Sequence, residues 1–86
     1  MNYQQKQAAV RNPNTPTKTL KLLATDEDYW VRCWVARNPN TPLESLQILA
    51  TDEDHWVRLY VAQNPNRTEL IERLVLMTNY QQEVLV

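Results

Sequence analysis

Trp30 and Trp34 stand four residues apart, and Trp56 and Tyr60 repeat that spacing further along the chain. Residues four apart share one face of a helix, so each pair projects together. Stacked across neighbouring units, the four rings would form a continuous patch with Arg37 beside it. Trp, Tyr and Arg are the residue types that dominate interface energetics, so the chemistry on offer is recognition. The alternative reading is that the rings fill space between short helices, and the sequence leaves both open. Val31 and Val35 already supply an inward stripe, which puts at least one aromatic of each pair at or near the surface.

Bond-making chemistry has little to work with. Cys33 and His55 are each the single residue of their type, whereas a metal site or a Cys–His nucleophile needs companions. Both read as ordinary helix-surface residues, and no catalytic residue, metal or cofactor is expected. Asp28 and Arg32 lie four apart, as do Asp54 and Arg58. Stacking would bring one unit's Arg near the next unit's Asp, giving a ladder that fixes register; a surface pair adds only about 0.3–0.5 kcal/mol. In the competing reading Arg32, Arg58 and Arg37 face a phosphate or carboxylate ligand. Asn12, Asn38 and Asn64 recur at one turn position, where Asn side chains satisfy local backbone groups.

The elements that position these residues follow from a 26-residue repeat. Ala24 to Val35 and Ala50 to Val61 agree at nine of twelve positions, and NPNTP occurs at Asn12–Pro16 and Asn38–Pro42. Such a period marks stacked units, none able to bury its apolar face alone. Within each unit, Thr-Pro opens a first helix, with Thr41 as N-cap, Pro42 at the first helical position and Glu44 completing a capping box. These first helices span roughly 16–24, 42–50 and 69–77. The DED triplets suit the start of a second helix, spanning roughly 28–37 and 54–63, which Asn-Pro then stops. The second helices are short enough to be partly 3₁₀. Asn-Tyr-Gln-Gln occurs at both ends, Asn2–Gln5 and Asn79–Gln82, separated by three periods less a single position. The lost residue falls after Asn66, where Ile71 and Leu74 arrive one place early. The ends therefore read as polar second-helix elements that stop the stack, with a half-unit at 2–12 and repeats at about 13–38, 39–64 and 65–86.

Eighty-six residues make one small domain. Glycine is absent, so turns must be made with Asn and Pro. Nine basic and ten acidic residues give a net charge of −1, and six of the acids sit in the two DED triplets. That balance argues against a nucleic-acid or membrane binder by charge. One cysteine excludes an intrachain disulfide. The first residues lack a signal-peptide apolar core, and no apolar run nears the length of a membrane span, so a cytoplasmic location is expected.

The phrase Val31-Arg32-x-x-Val35-Ala36-x-Asn38-Pro39-x-Thr41-Pro42, followed by Leu46, Leu49-Ala50, Asp52 and Asp54, resembles the leucine-rich repeat variant family, a HEAT/armadillo-like helical solenoid. The likeness covers about residues 5–66, while 67–86 depart from it. It implies an all-α, short right-handed α-solenoid of about three two-helix repeats that serves as a binding or scaffolding surface, without catalysis. The resulting expectation is a non-enzymatic module that holds a protein or peptide, or a second copy of itself, on Trp30, Trp34, Trp56, Tyr60 and Arg37. Nucleic-acid binding is the runner-up, because Trp and Tyr stack on exposed bases, but the DED triplets would repel phosphates. A glycosylase on a related solenoid needs a deeper pocket than three repeats enclose.

Overall fold

Proline and aspartate punctuate this chain into helices. The structure, a computed structural model, describes the backbone of residues 1–85 and the side chains of residues 1–81. Among the described residues there are six helices and no strand: α1 (Tyr3–Arg11), α2 (Thr17–Leu23), α3 (Tyr29–Arg37), α4 (Leu43–Leu49), α5 (His55–Gln63) and α6 (Glu69–Leu85). α1, α3, α5 and α6 pack in sequence as one layer, while α2 and α4 bridge them from the other side. The result is a short helical repeat stack with extents of 38 × 24 × 16 Å.

Each boundary has a local cause. Asp28 and Asp54 are the N-caps of α3 and α5, accepting from the N–H of Trp30 at 2.9 Å and of Trp56 at 2.8 Å. α3 and α5 end where Asn38 and Asn64 go extended before proline, at ψ 126° and 130°. No described residue has positive φ, so the glycine-free turns are built wholly from Asn and Pro geometry. Both second helices are α-helical throughout, with no 3₁₀ segment.

Two expectations fail. Thr41 does not cap α4: its hydroxyl donates back to the Val35 carbonyl at 2.6 Å, Pro42 occupies the N-cap position, and no side chain caps the helix. Thr15 does the same to Ala9 at 2.5 Å. Threonine here closes the end of the preceding helix rather than opening the next. Glu44, freed from any box, pairs with Lys21 across the repeat. The second failure is at the C-terminus. No separate second helix forms there; α6 runs for 17 residues because neither proline nor an Asp cap interrupts it. This helix takes both places, packing against α5 and α4. Asn79 therefore sits inside a helix, whereas Asn2 heads α1 in a true capping box with Gln5. α6 leaves Leu76, Met77 and Tyr80 exposed and α1 leaves Tyr3 exposed; the side chain of Gln82 lies outside the described residues.

The core is the inward stripe of every helix: Val10, Leu20, Leu23, Val31, Val35, Leu46, Leu49, Val57, Val61 and Ile71 are all at most 2% exposed. At about 1.5–3 kcal/mol for each fully buried aliphatic side chain, this stripe supplies what seven- and nine-residue helices cannot supply alone. Cys33 belongs to it too, at 1% exposure. It is a core residue and not, as its position suggested, a surface one.

Candidate functional site

Three side-chain ladders run from repeat to repeat and hold α3 and α5 in register. The first is ionic. Lys6 pairs with Asp26 at 2.7 Å, and one period on Arg32 pairs with Asp52 through Nε at 2.8 Å and Nη2 at 3.2 Å. One period further, Arg58 Nε donates to Asn79 Oδ1 at 2.6 Å, where Asn stands in for the acid. The repeat-to-repeat pairing is the expected one, but its acid is the first of each triplet, while the last, Asp28 or Asp54, caps its helix. Arg32 also donates from Nη1 to the carbonyls of Asp26 and Glu27, so all three of its nitrogens are engaged within the chain and none faces a ligand. The Lys6 ammonium, hydrogen-bonded to Asp26, holds that carboxyl below its ordinary value, helped by the Asp28 N–H, and Lys6 is raised in return. The Asp52 carboxylate likewise raises Arg32.

The second ladder is amide. Asn38 Nδ2 donates to the carbonyls of Val10 and Asn12, both at 2.9 Å, and Asn64 Nδ2 donates to those of Ala36 and Asn38 at 2.8 and 3.1 Å. Each Oδ1 accepts the N–H two residues on, which is the local turn role read from the sequence.

The third is aromatic. The Arg37 guanidinium lies 4.2 Å from the Trp34 ring centre and 4.9 Å from that of Tyr60, and Arg11 lies 5.2 Å from Trp34. Arg11 on Trp34 and Arg37 on Tyr60 are one contact repeated after a full period. Trp34 and Tyr60 are half-buried by it.

One helical turn earlier, Trp30 and Trp56 are 39% and 52% exposed. They flank a cleft of about 240 Å³ between α3 and α5, lined also by Tyr29, Cys33 and Tyr60. Trp30 meets Trp34 edge-on at 6.1 Å, and His55 sits against Trp56 at 4.8 Å. The structure thus brings all five sequence-selected residues onto one face but divides them: Arg37, Trp34 and Tyr60 clamp one another, while Trp30 meets the clamp only edge-on at Trp34 and Trp56 lies against His55. Burial pushes the Cys33 thiol at the cleft floor up to about 11, with the Asp54 and Asp52 carboxylates adding to it, so it stays protonated near neutral pH and is a poor nucleophile. Tyr29 and Arg11 were missed from the sequence. The period itself signals Arg11, which holds the place of Arg37 in the preceding unit; Tyr29 is signalled only by its adjacency to Trp30.

Residues 29–54 match the family model described as leucine rich repeat variant. That segment is similar to a leucine rich repeat variant unit. The matched segment runs from the first residue of α3 to the N-cap of α5, one full period made of second helix, Asn-Pro turn, first helix and acidic triplet. Arg32 and Asp52, which join neighbouring second helices, lie inside that one unit. The aromatic cleft spans its edge, with Tyr29, Trp30 and Cys33 inside and Trp56 and Tyr60 beyond. No curated protein and no solved structure matches the chain. No helix among the described residues is long and apolar enough to cross a membrane.

Proposed function

We propose that this helical repeat module binds a segment of protein or peptide in the cleft between α3 and α5, without itself performing catalysis. The observation that carries the reading is the half-exposure of Trp30 and Trp56 on opposite walls of one cleft. A tryptophan side chain holds a large apolar area with few rotatable bonds, and two of them flanking a concavity offer a partner more burial than scattered surface residues would. The walls are fixed from behind by the Arg37 clamp and the Arg32–Asp52 pair, so little ordering is required when a segment binds.

Selection of a displayed peptide library on the wild-type protein tests the proposal. Enriched peptides should bind Trp30→Ala and Trp56→Ala variants at least about tenfold more weakly, as hot-spot aromatics give about 2 kcal/mol or more. Both side chains lie outside the buried core, so the variants should keep the wild-type helical circular dichroism. Peptides that bind both variants as tightly as wild type would reject the cleft. A single-stranded oligonucleotide bound with steep salt dependence would move the function to nucleic acid, and a concentration-dependent dimer lost in Trp56→Ala would make the partner a second copy.

A further inference from the structure

Resting on that reading, we propose that the cleft takes a cationic side chain, the ammonium or guanidinium of a Lys or Arg in the partner segment, between the faces of Trp30 and Trp56. The molecule already displays the interaction beside the cleft. At the Trp34–Tyr60 step the space between neighbouring second helices holds the Arg37 guanidinium, and Arg11 occupies the same relation one repeat earlier. One turn toward the N-terminus of the same helices, the equivalent step between Trp30 and Trp56 has the rings, but no cation lies over either among the described residues. Its volume of about 240 Å³ far exceeds the roughly 30 Å³ of one water, so the cleft has room for a cationic head group beside the indoles.

Charge selects the same occupant. The cleft opens directly after the acidic triplets. Lys6 and Arg32 neutralise Asp26 and Asp52, but Glu27 and Glu53 are exposed and form no ion pair among the described residues. Asp28 and Asp54 offset the positive ends of α3 and α5. The carboxylates reach the cleft floor electrostatically: Asp54 and Asp52 act on Cys33 beyond its burial and outweigh the opposing Arg32 and Arg37. An anionic side chain would meet the carboxylates of both triplets here, whereas a Lys or Arg gains the two indoles and the field.

Two measurements decide. Each peptide enriched on the wild-type protein is resynthesised with its Lys replaced by norleucine or its Arg by citrulline, which keeps shape and removes charge. Affinity should fall about tenfold. Independently, tetramethylammonium chloride is titrated into the full chain against a sodium chloride control while the three indole N–H resonances are followed. The Trp30 and Trp56 signals should shift saturably and the Trp34 signal should not. Enriched peptides without Lys or Arg, undiminished affinity after neutralisation, or equal shifts at all three indoles would overturn the cationic occupant while leaving the cleft as the docking face. Peptides indifferent to Trp30→Ala and Trp56→Ala would remove both. Should no peptide be enriched, the ammonium titration alone decides the matter.

Discussion

The Asn64 side chain makes three hydrogen bonds at 1% exposure of the residue: its amide bridges two carbonyls of the preceding repeat while its oxygen accepts the Asn66 N–H. Alanine there would strand the Ala36 carbonyl away from water, at about 1–3 kcal/mol for a buried group left unmade. It would also remove two further bonds, although the Asn38 carbonyl would keep the Thr41 N–H. Asn64→Ala should therefore lose about 2–4 kcal/mol in urea unfolding, a large part of the roughly 5–15 kcal/mol typical of a domain. Asn12 is exposed and its side chain accepts from Asn14 alone, so Asn12→Ala should cost less than about 1 kcal/mol. Equal losses at the two positions would refute the ladder. The accepting half of this role was legible, because an Asn bonding two residues ahead is local turn chemistry. The donating half was not, since it reaches back a full repeat or slightly more and depends on how the repeats stack.

At the scale of the element, the second helices were read from the sequence to within a residue, because an Asp cap and an Asn-Pro stop bracket an apolar stripe and all three signals agree. The first helices α2 and α4 came out a residue shorter at each end than the pattern suggested, and the capping box did not form. A Thr-Pro-x-Glu string satisfies the local rule, but the Val35 carbonyl at the preceding helix end lies within reach of the Thr41 hydroxyl and takes it. Only the tertiary position of that carbonyl decides between the two uses. The helix starting at Glu69 was expected, but its continuation past residue 77 was missed for the complementary reason: the Asn-Tyr-Gln-Gln match to α1 was real as sequence, yet without a preceding stop it could not restart a helix. The two uses of Thr41 differ measurably. Thr41→Val should cost about 1 kcal/mol through the lost bond to Val35, while Glu44→Ala should change stability by less than about 0.5 kcal/mol, since it and Lys21 form an exposed pair. A loss near that of Thr41→Val for Glu44→Ala would restore the capping box.

At the scale of the whole molecule, a stack in which each helix touches only its neighbours should open from its ends. Within the layer of α1, α3, α5 and α6, α3 and α5 each have a neighbour on both sides, and their Val31, Val35, Val57 and Val61 are at most 1% exposed. α1 has such a neighbour on one side only, and Val10 is its single fully buried residue. Native-state hydrogen exchange should then find the amides of Val35 and Val61 exchanging only through global unfolding, and those of α1 at least about tenfold faster, an opening cheaper by about 1.4 kcal/mol. Identical exchange free energies in α1 and α3 would show instead that the ladders bind the stack into one cooperative unit. The cleft lies between the two helices placed in the stable middle, with one wall on each. A segment bound there cannot act by ordering its own site, because the walls are already the last part to open. It should slow exchange in α3 and α5 by the mass-action factor 1 + [L]/Kd that any ligand of the folded state contributes, while leaving the fraying of α1 unchanged. Slowing confined to α1 would place the bound segment at the N-terminal end of the stack instead.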